Sequence, residues 1–249
     1  MQTCISVVTP VHISSDADLC YVRHLINSCL NQKFPHKELI ISDDLNDKRV
    51  EQLCKELDNP RLKIIYTVAP NQGISHNLNH AITNASGKVI KILFQDDFLV
   101  NRFALLFLFL RLLFSRKQWH VSGSVHFKQS TENFYKVFRP RVSNNLLDGK
   151  NFISSPSVVT LKRKSQLGFD SRLTYLLDCE WYLRMSHSFG LPIFGRLTLV
   201  ANRIHKGQAT NWAKHRLKFE STLAKEIHDV SYMKATGCKC TKTKLVASQ

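Results

Sequence analysis

Strand-like and helix-like segments alternate without a break over the first 97 residues, and this order restricts the fold more than any other feature of the chain. Ile5 to Thr9 reads as a strand, and Leu19, Val22, Ile26, Cys29 and Leu30 then fall on one face of a helix. Leu39-Ile40-Ile41 is a second strand, Val50, Leu53, Cys54 and Leu57 return to helical spacing, and Leu62 to Tyr66 is a third strand. Ile74, Leu78, Ala81, Ile82 and Ala85 stripe another helix before Val89 to Phe94 forms the fourth strand. Strands separated by helices pair in parallel, so the pattern predicts an α/β fold with a mostly parallel, doubly wound sheet. Ligands of such sheets gather at the carboxyl ends of the strands, and here those ends carry Thr9-Pro10, Asp43-Asp44 and Asp96-Asp97.

Two adjacent carboxylates after a buried strand have two readings. They can form a turn and cap the next helix, or they can offer hard oxygen ligands to Mg²⁺ or Mn²⁺, which in turn grips phosphate. There is no G-x-G-x-x-G after the first strand and no G-x-x-x-x-G-K-[ST], which removes the main sequence support for dinucleotide oxidoreductases and P-loop phosphotransferases. Beyond Val121 the runs Val121 to Phe127, Phe134 to Phe138 and Ser157 to Leu161 are strand-like, followed by a helix near Cys179 to Ser186 and a basic tail. With no internal repeat and no clear linker, the chain reads as one domain over residues 1–235, with a nucleotide half (1–100), an acceptor half (101–235) and the tail at 236–249.

A formal charge of +16 draws the surface toward polyanions: nucleic acid, anionic lipid or phosphorylated small molecules. The cations are spread along the chain and do not form one arm with interleaved aromatics, which weakens a specific nucleic-acid reading. Seven cysteines at irregular spacing do not make a secreted disulfide framework, and no basic-then-apolar leader precedes the first strand; a cytoplasmic protein is expected. Cys238 and Cys240 have no second pair at zinc spacing and read as free thiols of the tail. The apolar run from Phe103 to Phe114 covers 12 residues, interrupted by Arg111, too short to cross a bilayer. It is either a buried helix or an interfacial one, since Arg102, Arg111, Arg116 and Lys117 flank it; peripheral contact with an anionic membrane stays open.

From Ile5 to about His205 the chain resembles the inverting family 2 glycosyltransferases of GT-A fold, which use nucleotide-diphosphate sugars. The likeness is carried by Ile5-Ser-Val-Val-Thr-Pro10, Ser28-Cys-Leu-Asn-Gln32 with Phe34-Pro35, and Leu39-Ile-Ile-Ser-Asp-Asp44. It continues in order through Asn71-Gln-Gly-Ile-Ser75 with Asn79, Ala85-Ser-Gly-Lys-Val-Ile90 and Gln95-Asp-Asp97. Asn151-Phe-Ile-Ser-Ser-Pro-Ser157, Gly168-Phe-Asp170, Leu177-Asp-Cys-Glu-Trp-Tyr-Leu-Arg184 and Arg203-Ile-His205 are similar to its later segments.

The resemblance implies roles. Thr9, Pro10, Asp44, Asn71, Gly73 and Asp96 would bind the nucleotide sugar, with Asp44 on the base and Asp96 near the ribose. Asp97, with His205, would hold Mn²⁺ or Mg²⁺, and Asp178 would be the base that takes the proton of the acceptor hydroxyl. Glu180 and Trp181 would shape the pocket for a glycan or glycolipid acceptor. Leu78 and Ala81 stand where the family often has Arg and Gly, so Lys88, Arg203 or Lys206 would have to supply the missing positive charge. Leu177 replaces the acid before the base, and Leu45-Asn46 replaces a turn glycine that Asn can mimic. The reaction implied is single displacement from a nucleotide-diphosphate sugar, UDP-linked by preference. The rivals are a nucleotidyltransferase and a catalytically degenerate basic adaptor binding nucleic acid or an anionic membrane.

Overall fold

The computed structural model describes residues 3–141 and 145–236. Cys238, Cys240 and the tail at 237–249 lie outside the described residues.

The expected alternation is present. Strand β1 (Ile5–Val11) leads to helix α1 (Asp16–Leu30), β2 (Lys37–Asp43), α2 (Lys48–Leu57), β3 (Lys63–Val68), α3 (Ile74–Thr83) and β4 (Val89–Ile92). All three pairings among these four strands are parallel. Local chemistry sets the helix starts. The Asp18 carboxylate accepts the N–H and O–H groups of Ser14 and Ser15 ahead of α1, and Asp47 accepts the Arg49 N–H at the start of α2 (2.8 Å).

A short β5 (Phe98–Leu99) and α4 (Ala104–Leu113) follow, then β6 (Trp119–Lys128), β7 (Asn133–Phe138), β8 (Val159–Lys162), α5 (Leu177–Phe189), β9 (Ile193–Ile204), α6 (Ala209–Ala213) and α7 (Leu217–Thr236). One sheet runs through both halves in the order β3-β2-β1-β4-β8-β6-β9-β5, with β7 beside β6. Its far side is mixed: β8 is antiparallel to both β4 and β6, while β9 is parallel to β6 and antiparallel to β5. Between Ser186 and the tail, where the sequence pattern offers no element, the chain thus forms the long β9 and the helices α6 and α7.

Both sheet faces are covered, which is why the first strands are apolar without alternation. Ile5 and Val7 of β1 join α1, α2 and α4 through Val22, Leu25, Leu53, Leu105 and Leu108. Val8 faces the opposite way and packs with α3, α5 and α7 through Leu78, Ile82, Trp181, Met185 and Ala224. On that side the Phe169 and Trp181 rings stack at 4.6 Å between centroids. Among the described residues, no helix is long and apolar enough to cross a membrane.

Helix α7 fixes the start of α5. Glu220 is fully buried, and one carboxylate oxygen accepts the N–H groups of Thr174, Tyr175 and Leu176 at 2.8–3.0 Å. The other takes Arg216 Nε at 2.6 Å. Replacing Glu220 strands three donors and a cation, so Glu220→Ala is expected to lower unfolding stability by about 3 kcal/mol, read as a drop in urea midpoint.

Candidate active site

The strand order turns at β1 and β4: β2 and β3 continue from β1 on one side, and β8 from β4 on the other. Such a switch point opens a crevice at the carboxyl ends of the strands. Gln95, just after β4, clamps the loop that follows β1: its Oε1 accepts the His12 N–H (2.6 Å) and its Nε2 donates to the His12 carbonyl (3.0 Å). The His12 ring then lies 2.8 Å from Asp44 Oδ1, and Asp44 Oδ2 accepts the Gly73 N–H (2.9 Å). Gly73 has φ 110°, a conformation that costs glycine little, and it opens α3. Three loops are thereby drawn onto one edge.

The paired aspartates divide their work. At the end of β2, Asp43 turns inward, accepting the N–H groups of Leu45 (2.9 Å) and Asp47 (2.7 Å) and the Tyr66 hydroxyl (3.0 Å). Asn46 takes φ 54°, supplying the left-handed turn expected of it. After β4, Asp97 is the inward member, 4% exposed. Its Oδ2 accepts Asn202 Nδ2 (2.8 Å) and Ser155 Oγ (3.2 Å), and its Oδ1 accepts the Arg203 N–H (3.0 Å). Burial, then the neighbouring Asp96 charge, raises the pKa of this carboxyl, while the hydrogen bonds oppose the shift. Asp96 is the outward member: its Oδ2 lies 3.1 Å from His205 Nε2, and both side chains are partly open to solvent.

Arg203 locks this loop from behind. Nε donates to the Asp96 carbonyl (2.8 Å), and the guanidinium lies 4.5–5.3 Å from the Tyr21, Phe98 and Phe127 ring centres. It also bonds Gln129 and the His24 ring.

Asp178 is the second residue of α5. Its Oδ1 accepts the Cys179 N–H (2.7 Å) and its Oδ2 accepts Asn151 Nδ2 (2.7 Å). Burial pushes this carboxyl up to about 6 against those bonds. Asn151 Nδ2 also donates to the Ser154 carbonyl (3.0 Å), where the Tyr182 hydroxyl bonds as well (3.0 Å). Ser154 is held at φ 90°, which side chains avoid, and its Oγ donates to Asn202 Oδ1 (3.1 Å). Since Asn202 donates to Asp97, an unbroken polar chain joins Asp178 to the Asp96-Asp97 loop. Buried Lys91 of β4 anchors the same segment through the Ser157 carbonyl, and Ser157 Oγ accepts the Phe94 N–H (2.9 Å).

The expected site residues lie at different depths. Asp97, expected to hold the metal, is buried with both oxygens engaged by protein donors; Asp96 and His205 are the accessible pair. Asp44, expected on the nucleotide base, is almost fully enclosed between His12 and Gly73. Thr9 and Pro10 are buried within β1, whereas Asn71 and Gly73 lie exposed in the loop before α3. Glu180, expected to shape the acceptor pocket, is fully buried and paired with Arg184 one turn on. Trp181 is fully buried, its Nε1 donating to the Leu167 carbonyl (2.9 Å). Leu78, which stands where the family often has Arg, is fully buried in the core. Of the three cations offered as substitutes, Arg203 is spent on its cage, Lys88 precedes β4 at the opposite edge, and Lys206 stands exposed beside His205. His12 joins the crevice without having been singled out in the sequence, and Gln95, named there only as part of its motif, is the side chain that clamps the His12 loop.

Among the described residues, no group of three or more His, Cys, Asp and Glu side chains is gathered for a metal. The Asp96–His205 pair nevertheless offers one carboxylate and one imidazole on one spot, a donor set that suits Mn²⁺ and leaves room for phosphate oxygens.

Comparison with known proteins agrees with this architecture. Residues 6–152 match the model of the family described as Glycosyl transferase family 2. An uncharacterised glycosyltransferase of Haemophilus influenzae is 36% identical over 99 residues, 39% of this chain and 38% of that relative. One from Rickettsia typhi is 27% identical over 229 residues, covering 86% of this chain and 68% of the relative. The putative teichuronic acid biosynthesis glycosyltransferase TuaG of Bacillus subtilis is 28% identical over 95 residues, 37% of this chain and 36% of that protein. In structure, S. aureus TarS in complex with UDP-GlcNAc superposes with a TM-score of 0.66 at 13% identity, over 94% of this chain and 73% of TarS. The mannosyltransferase PcManGT of Pyrobaculum calidifontis, in complex with GDP-Man and Mn²⁺, gives 0.61 at 14% identity, over 97% of this chain and 77% of that one. The fold is that of the GT-A glycosyltransferases, and the chain belongs to glycosyl transferase family 2.

Proposed function

We propose that the protein transfers a sugar from a nucleotide-diphosphate donor to a hydroxyl of a glycan or glycolipid acceptor, with inversion, and that Asp178 is the base. The observation that carries this reading is the polar chain Asp178–Asn151–Ser154–Asn202–Asp97, which holds a half-buried carboxylate in fixed relation to the donor-side loop. The bound sugar nucleotides of TarS and PcManGT and the polysaccharide role of TuaG support the substrate class.

Asp96 and His205 would hold the divalent cation, with Lys206 beside them, and Asp97 would keep that loop in place. A cation there would offset the charge gathering on the leaving diphosphate. The His12 ring, with Asn71 and the backbone at Gly73, would line the nucleotide end. As the acceptor oxygen bonds to the anomeric carbon and the bond from that carbon to the diphosphate breaks, the acceptor proton passes to Asp178. Raising this carboxyl toward neutrality brings its basicity nearer to that demand.

The thermal midpoint should rise on addition of UDP or GDP with Mn²⁺, and the choice between them identifies the donor base. A ligand at 100 times its Kd adds about 2.7 kcal/mol. Asp96→Asn should abolish the metal-dependent part of that rise while leaving the unliganded protein within about 0.5 kcal/mol of the parent. Asp97→Ala should instead lower stability by about 3 kcal/mol with no ligand present, because three internal donors lose their acceptor. A metal-dependent rise that survives in Asp96→Asn would refute the assignment of the cation site.

Asp178→Asn should keep the nucleotide-dependent midpoint shift and lose turnover, measured as UDP release from UDP-GlcNAc. In the parent, turnover should fall as pH drops through about 6, where the base becomes protonated. Asn151→Ala removes a donor that favours the charged form, so its acid limb should move to higher pH.

A further inference from the structure

We propose that the outer face of α4 docks on an anionic lipid bilayer. The helix contains nine apolar residues and Arg111, and only one side of it is used by the fold. Ala104, Leu105, Leu108 and Leu112 are fully buried against the sheet. On the other side, Phe103, Leu110, Leu113 and Phe114 are 46%, 40%, 52% and 83% exposed. Positions 103, 110, 113 and 114 share one helical face, so these side chains form a single apolar strip. A strip of this kind on the surface of a folded chain points to a partner.

Charge identifies the partner. Arg102, Arg111, Arg116 and Lys117 are exposed around the strip, and none of them enters an ion pair among the described residues. Lys33 adds a fifth exposed cation at the Arg102 end, where its N–H donates to the Arg102 carbonyl (2.7 Å). No Asp or Glu occurs between Phe98 and Thr131. A second copy of the chain placed on this strip would bring like charges face to face, and nucleic acid would gain nothing from Leu113 and Phe114. An anionic bilayer takes both features, the rings entering the acyl boundary and the cations staying among the headgroups. The strip lies on the sheet face opposite α3, α5 and α7, so docking there leaves the α5 face uncovered.

The proposal is independent of the transferase reading and is tested on the full chain by co-sedimentation with vesicles. The vesicles are phosphatidylcholine alone, or phosphatidylcholine with about one quarter phosphatidylglycerol. Binding is expected to the anionic vesicles only. It should weaken by about tenfold or more in the double variant Leu113→Ser/Phe114→Ser, and similarly in Arg116→Ala/Lys117→Ala. A separate reading comes from Phe114→Trp, whose added emission should shift to the blue with anionic vesicles. The proposal is overturned if the parent does not bind anionic vesicles, or if Leu113→Ser/Phe114→Ser binds as the parent does, since the general positive charge would then suffice. It is equally overturned if Phe114→Trp emission stays unmoved, or if the parent sediments as a dimer that the double serine variant dissolves.

Discussion

Enclosing a carboxylate costs several kcal/mol unless donors surround it, and Asp97 is enclosed at the point where the two halves of the sheet meet. Its acceptors draw in Ser155, Asn202 and Arg203, residues 58 to 106 positions away along the chain. Once these are in place, the strained Ser154, the Asn151 turn and the Asp178 carboxylate have their positions set. The arrangement is demanding because each donor serves two partners: Asn202 Nδ2 bonds both Asp97 and Ser155, and Asn151 Nδ2 bonds both Asp178 and Ser154. Loss of one member therefore reaches the others, which is the behaviour of a polar network in a low-dielectric interior.

Arg203 shows how the same loop is held from its other side. A cation taken out of water needs partners, and here they are a peptide carbonyl, a glutamine, an imidazole and three aromatic faces, with no carboxylate among the described residues paired directly to the guanidinium. The Asp96 side chain is left outside the cage, next to His205. The two aspartates sit in the turn between β4 and β5, closed by the Asp97 N–H on the Phe94 carbonyl (3.0 Å), and there one is sealed in while its neighbour is offered to solvent.

That separation also explains where the sequence was legible. Buried strands and amphipathic helices over residues 5–94 announce themselves through apolar runs and helical spacing, because both sheet faces are covered by local neighbours. Strand β9 does not, since Arg196, Asn202 and Arg203 break its apolar run and the partners that satisfy Arg203 come from distant segments. Glu220 likewise hides α7's role, for a carboxylate on a helix reads as solvent-facing until the three N–H groups ahead of α5 are seen to meet it. Motif order marked the aspartate pairs and Asp178, but not that Asp97 is the enclosed member of its pair, since its donors come from residues 155, 202 and 203. Helical phase sets the depth of the α5 residues: Glu180 and Trp181 turn inward, while Asp178, at its open first turn, keeps a side toward solvent.

The position of β9 has a consequence for the order in which a growing chain can become competent. Residues 193–204 slot between β6 and β5, and Glu220 secures α5 only later still. A nascent chain emerging from the ribosome can assemble the parallel β1-β2-β3-β4 unit early, but the Asp97 carboxylate stays without its acceptor-side donors until residue 203 has arrived. The Asp97 loop and the Asp178 carboxylate thus reach their final places together and late, so a partly synthesised chain carries the β1-β2-β3-β4 unit before Asp178 is fixed relative to it.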